Sequence, residues 1–235
     1  MYDFFIPYRS EVDNLKICKR LMEMGYTTIA WTIIVTDEDN IESIANKIEL
    51  NPVKCELKQL FRLHIRTVKS SISFSKIKRF DILSVEPLTI EAMHGACEYM
   101  PIDIITLGNR KLDIRDSFLS KASQRHVRLE FLYGETITNE SLQQQFFTNL
   151  GFVARTRCQK ILLISCGSTC IRKSIDVQSI LILVGFTHPQ VKKAVQNLDS
   201  HLLKFHTKKV HGSAIEIIRK RPLEAQNDIA KKIKC

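Results

Sequence analysis

The chain of 235 residues has no long hydrophobic run. Its longest apolar stretch, Ile180–Phe186, falls well short of the roughly 18 residues of a membrane span, so it reads as a core helix and no membrane partner is expected. The opening residues, MYDFFIPYRS, lack the basic start and extended apolar core of a secretory signal. No linker rich in Pro, Gly or Ser divides the chain, and no internal repeat stands out. Residues 1–222 therefore read as one α/β domain and 223–235 as a flexible basic tail. The signatures of common chemistries are missing as well. GxGxxG, GxxxxGKS/T and GxSxG do not occur, which removes the usual phosphate-loop and nucleophile-elbow readings. There is no HExxH, no His-x-His after the first strand and no CxxC pair, so a zinc or hydrolytic metal centre has no recognisable ligand set. The cysteines number seven, an odd and scattered set that suits reduced thiols in cytosol or nucleus better than a disulfide framework.

What the chain does have is positive charge. Lys and Arg total 35 against 25 acidic residues, a net charge of +10. Such an excess favours a polyanionic partner, RNA or DNA, over an acidic small molecule; the alternative is a basic surface kept for solubility. The charge is clustered. Lys54–Phe80 carries a net +7, Arg155–Lys173 a net +5 with no acid, and Lys204–Cys235 a net +6, while the segment around Asp37–Glu49 is acidic. Runs of one sign are what phosphate-backbone binding uses, and each run alone is equally a solvated face.

Strand and helix signals alternate. Strands are expected at Tyr2–Ile6, Thr27–Val35, Leu60–Val68, Phe80–Val85, Ile102–Leu107, Val127–Tyr133, Ile161–Ile164 and Ala214–Ile218. Helices are expected at Glu11–Met24, with Val12, Leu15, Ile17, Cys18, Leu21 and Met22 facing inward, and at Ile90–Tyr99 behind a Thr89 cap. Further helices are expected near Phe118–Gln124, over Asn139–Cys158 and after Pro189, with Asp37–Lys47 an acidic helix or loop and His201–Thr207 one more helical turn. About eight strands, each followed by a helix or a long connection, predict a single (β/α)8-like barrel of TIM type, with an open doubly wound parallel sheet as the alternative.

The richest stretch is KILLISCGSTCIRKSIDVQSILILVGF, Lys160–Phe186. A buried strand leads into a small polar turn, a basic pair and a helix, which Ser174 or Asp176 can cap and Gly185 can end. Arg172 and Lys173 thus stand at the carboxyl end of a strand, where α/β proteins place functional loops. Cys166 and Cys170 are either packing residues or, with Arg172 and a helix N-terminus nearby, candidates for a lowered thiol pKa. Asp3, Glu86, Asp103 and Glu130 lie in or beside strands, where carboxylates can bind metal or act as acid and base. Glu86 can equally cap a helix or pair with a basic neighbour. Asp103 and Glu130 can be buried only if paired with a cation, for which Arg125 and Arg128 are candidates.

Four motifs in order resemble the roughly thirty-kilodalton protein subunit of ribonuclease P and ribonuclease MRP. They are YDFFIPY, FDILSVEPLTIEAMHGACEYMPIDIITL, RHVRLEFLY and the Lys160–Phe186 stretch, and the resemblance covers about residues 1–222. It implies a barrel related to the PHP-like metal-dependent phosphoesterases but without their catalytic site. It also implies a part in tRNA 5′-leader removal, with rRNA processing through ribonuclease MRP. Catalysis would be carried by RNA with Mg2+ held there, leaving no catalytic residue, metal or cofactor on the protein. The implied partners are ribonuclease P RNA, a small α/β subunit bound directly, the other ribonuclease P/MRP proteins, and pre-tRNA through the holoenzyme. The implied location is nucleus and nucleolus, or cytoplasm in an archaeon. Arg125, Ser165, Gly167 and Asp176 match the family pattern. His126 departs from it, standing where Gly is usual, and Cys166 and Cys170 stand where Ser or Ala is usual. The basic residues singled out for RNA contact are Arg155, Arg157, Lys160, Arg172, Lys173, Lys208 and Lys209. The rival reading is a metal-dependent barrel phosphoesterase with its ion at Glu86, Asp103 and Glu130, and a third is a pure protein–protein scaffold.

Overall fold

The structure is a computed structural model that describes residues 1–36, 41, 43–44, 49–72, 77, 80–108, 114–137, 139–156, 161–168 and 170–196. Seven strands are found there: β1 (Tyr2–Pro7), β2 (Thr28–Thr36), β3 (Lys58–Thr67), β4 (Ile82–Pro87), β5 (Ile104–Leu107), β6 (Arg128–Leu132) and β7 (Leu162–Ser165). All neighbouring pairs are parallel, in the order β1-β2-β3-β4-β5-β6-β7. The order never reverses, which rules out the doubly wound alternative. β7 comes back to β1, where Gly167 N–H donates to Phe5 O at 3.0 Å, so the sheet curls into a nearly closed barrel. The expected eighth strand, Ala214–Ile218, lies outside the described residues, as do the turn at His201–Thr207, the tail 223–235 and most of Asp37–Lys47.

Among the described residues, five helices follow strands or their connections, α1 (Glu11–Glu23), α2 (Ile90–Glu98), α3 (Asp116–Gln124), α4 (Glu140–Arg155) and α5 (Ser174–Val184), and α6 (His188–Gln196) follows α5 directly. Local chemistry sets their ends. Ser10, Thr89 and Asn139 accept N-terminal amide hydrogen bonds from Asp13, Ala92 and Leu142 respectively, and Gly185 closes α5 in the left-handed region at φ 111°. α5 is uncapped by any side chain: Lys173 holds the cap position, and Ser174 and Asp176 both fall inside the first turn. α1 also departs from expectation. Val12 and Leu15 are exposed, and Asn14 is buried, trading hydrogen bonds with Arg9 N and O at 3.0 Å each. Nor is Ile180–Phe186 uniformly core. Val177 and Leu181 face inward, while Leu183 on the opposite side of α5 is 85% exposed.

Strand alternation divides the interior into two compartments. Residues such as Leu63, Ile65, Val85 and Ile105 join the main core between sheet and helices. The other face of the strands points to the barrel axis, where Phe4, Ala30, Ile82, Ile104 and Leu163 form a separate apolar cluster. At the amino end of the strands, Asp81 and Asp103 extend the ladder. Each donates its own N–H to a residue of the preceding strand (Phe61 O, Leu83 O) and accepts that residue's N–H on its carboxylate at 2.8 Å.

Candidate functional site: a polar barrel axis and a basic loop at its seam

β3 runs Leu60-Phe61-Arg62-Leu63-His64-Ile65-Arg66. Because Leu63 and Ile65 go to the helices, Arg62, His64 and Arg66 must line the axis. Arg62 is fully buried and uses all five donors. Nε reaches Ser84 Oγ at 2.6 Å, Nη1 reaches Phe4 O and Glu130 Oε1, and Nη2 reaches Thr106 Oγ1 and Glu130 Oε2. The Phe5 ring covers its guanidinium, with the central carbon 4.6 Å from the ring centroid. Glu130 is equally satisfied, since Ser165 Oγ and Thr106 Oγ1 complete its shell at 2.7 and 2.8 Å. Burial works to raise the Glu130 carboxyl, and the charge and hydrogen bonds of Arg62, with those of Ser165 and Thr106, outweigh it and hold it low. The cation that Glu130 requires is therefore Arg62, from the basic run Lys54–Phe80, and not Arg125 or Arg128.

One step toward the carboxyl end, His64 Nε2 lies 3.3 Å from Glu86 Oε2 and its Nδ1 lies 3.1 Å from Ser84 Oγ. Burial lowers the imidazole pKa, and the neutral Nε2–H tautomer satisfies both contacts. Burial opposes the Glu86 anion, but His64 and Arg66 hold its carboxyl below its ordinary value; Arg66 Nε donates to Oε2 at 2.8 Å. Glu86 is thus the partner of basic neighbours, one of the roles open to it in the sequence. The three carboxylates of the phosphoesterase reading do not meet. Glu130 is sealed on the axis, Glu86 faces His64 and Arg66 near the carboxyl end, and Asp103 binds Leu83 N–H at the amino end. Among the described residues no three His, Cys, Asp or Glu side chains converge as a metal site.

The seam between β1 and β7 holds the loop 166–173. Asp3 is buried beneath it and accepts from Phe5 N–H and Cys166 N–H at 3.0 Å. Burial pushes Asp3 up to about 8, the two amides opposing and the Glu130 charge adding. Cys166 is buried and pushed up to about 12 by burial and by Asp3, which makes it a packing residue and no activated thiol. Two buried tyrosines then fix the backbone of Arg172. Tyr133 Oη accepts from Arg172 N–H at 3.1 Å, and Tyr26 Oη donates to Arg172 O at 2.8 Å. The side chains of Arg172 and Lys173 stay exposed at the start of α5. Neither tyrosine carries a sequence signal for this role, because the main-chain partner lies 146 residues from Tyr26 and 39 from Tyr133.

The structure sorts the other singled-out residues. Arg155 is exposed in the last turn of α4, and Asp176 is exposed in the first turn of α5. Arg157, Lys160, Lys208 and Lys209 lie outside the described residues. Ser165 serves the axial network. Gly167, at φ 73°, sits where a Cβ would come within 2.9 Å of Leu132. Arg125 spans from the end of α3 to the end of α2, donating to Ala96 O at 3.0 Å and Met100 O at 2.5 Å. His126 follows it at φ 61°, the left-handed conformation that glycine adopts freely.

These features define a parallel-barrel protein whose axis is closed by an ion pair and whose seam loop presents an exposed basic pair, Arg172 and Lys173. The chain belongs to the RNase P subunit p30 family, whose model matches residues 1–211. It is 24% identical over 253 residues to the ribonuclease P protein subunit p30 of Mus musculus, covering 94% of each chain. It is 26% identical over 216 residues to the ribonuclease P/MRP protein subunit RPP1 of Saccharomyces cerevisiae, covering 82% of this chain and 72% of that one. A chain in a cryo-EM structure of archaeal ribonuclease P with mature tRNA shares the fold. The TM-score is 0.63 at 18% identity, over 94% of this chain and 100% of that one.

Proposed function

We propose that this ribonuclease P subunit is non-catalytic and acts by holding RNA, bracing the catalytic RNA domain during removal of the tRNA 5′ leader. The observation that carries the reading is the basic loop at the barrel seam. Arg172 and Lys173 project from a backbone held on both sides by Tyr26 and Tyr133. They stand at a helix start that no side chain caps, where amide N–H groups and the helix dipole favour a phosphate. Asp176 in the same turn is the one opposing charge in that segment. Arg155, Arg157, Lys160, Lys208 and Lys209 extend the contact to other phosphates. Glu130, Glu86 and Asp103, the carboxylates of the rival phosphoesterase reading, are engaged by Arg62, by His64 and Arg66, and by the Leu83 amide, which supports a role in which Mg2+ is held by the RNA. The small α/β subunit and the other ribonuclease P/MRP proteins complete the particle, in the nucleus and nucleolus for a eukaryotic chain. Ribonuclease MRP is a second particle such a subunit can serve.

The test is a double substitution, Arg172→Ala with Lys173→Ala, read by RNA binding across a salt series and by pre-tRNA cleavage in the reconstituted particle. Loss of two phosphate contacts should flatten the salt dependence by about two counterions and weaken binding at physiological salt, with unfolding unchanged. Unaltered affinity and an unaltered salt slope would reject this loop as the contact. Cleavage by the protein without RNA would reject the non-catalytic role.

A further inference from the structure

We propose that Cys18 and Cys55 form a reversible redox modification site, closed to a disulfide by exchange with a small-molecule disulfide of the glutathione type. Cys18 lies in the middle of α1, fully buried, and Cys55 lies partly exposed in the segment that leads into β3. Their sulfurs are 3.4 Å apart. The pair is held in place. Gln59 on β3 donates Nε2–H to Cys55 Sγ at 3.3 Å and to Val53 O at 2.6 Å, while its Oε1 accepts from Val53 N–H and Trp31 Nε1–H. Cys55 therefore cannot drift from Cys18 without breaking the Gln59 network.

The asymmetry of the two thiols sets the order of events. Cys55 is partly exposed, so it is the thiol of the pair that an external reagent meets first. Cys18 is shielded, and burial together with the Cys55 thiol pushes it up to about 12. Cys55 attacks the external disulfide first. An S–S bond forms between Cys55 and one half of the reagent, the reagent's own S–S bond breaks, and the other half leaves as a thiolate that takes up the proton given up by Cys55. Cys18 then gives up its proton and attacks the Cys55 sulfur. The second half of the reagent leaves, also as a thiol. Two protein thiols are oxidised and one external disulfide is reduced to two thiols, so atoms and electrons balance. The closed bond would enclose all of β2 and tie α1 to the start of β3.

The experiment uses the full chain, freed of reductant and incubated with oxidised glutathione, followed by intact mass, peptide mapping and thermal unfolding. The wild type should lose the mass of two hydrogen atoms and yield a peptide pair joining Cys18 to Cys55. Its unfolding midpoint should rise by about 5–10 °C, and dithiothreitol should reverse both changes. Cys18→Ser should keep glutathione on Cys55 as a stable mixed disulfide, and Cys55→Ser should gain nothing at Cys18. A wild type that stops at the mixed disulfide, links Cys55 to another cysteine, or leaves Cys55 unreacted overturns the proposal. Peptide mapping of the wild type decides the matter alone if either variant fails to fold.

Discussion

Arg62 and Glu130 meet on the barrel axis through two parallel hydrogen bonds, Nη1 to Oε1 at 2.7 Å and Nη2 to Oε2 at 2.6 Å. Both side chains are fully buried, so each neutralises a charge that water cannot reach. Arg62→Ala should lower the unfolding free energy by about 3–5 kcal/mol in urea titration, because Glu130 is left as an uncompensated buried anion. Arg62→Met combined with Glu130→Leu should recover most of that loss. A double variant as unstable as Arg62→Ala would show that the pair does more than cancel charge.

Asp3 offers a prediction in pH. Its folded pKa of about 8 lies above the roughly 3.9 of an unfolded aspartate. The folded state therefore holds a proton that the unfolded state has released, and the Asp3 contribution to stability falls as pH rises from about 4 to 8. Asp3→Asn removes this dependence. The stability of Asp3→Asn relative to wild type should climb over that window and level off above it. A difference that is constant with pH would place the Asp3 titration outside the window.

His126 occupies the left-handed region at φ 61° just before β6. A side chain there costs about 1–2 kcal/mol, and glycine returns part of that to the unfolded chain as entropy. His126→Gly should therefore stabilise by about 0.5–1 kcal/mol in chemical denaturation. A loss of stability would mean that the imidazole contributes more than its backbone strain.

Gly167 closes the barrel on Phe5 O and leaves no room for a methyl group against Leu132. Gly167→Ala combines a positive φ with that overlap and should cost about 2–4 kcal/mol. Adding Leu132→Gly removes the overlapping atoms, Cβ included, and leaves only the positive φ, so the pair should stand closer to the Leu132→Gly single variant than additivity predicts. Strict additivity in this cycle would argue against the contact.

The barrel was legible from hydrophobic patterning and caps. All seven described strands fall at apolar or alternating runs, and Thr89 and Gly185 mark helix ends as their chemistry dictates. The interior of the barrel was legible only in part. The alternation Arg62, Leu63, His64, Ile65, Arg66 was visible, but net charge cannot distinguish an exposed basic strand from one that lines an axis. Once helices cover Leu63 and Ile65, the other face has to turn inward and find carboxylates.

Sequence by itself determined the order of strands and helices, the excess of positive charge and the motifs that mark the family, because these depend on residue types and short spacings. Only the tertiary structure decided which charges are spent internally. Arg62 pairs with Glu130 from 68 residues away, and Tyr26 reaches Arg172 O across 146 residues. No local period encodes such partners. They are chosen by strand register and barrel closure, under the requirement that every buried polar group be satisfied.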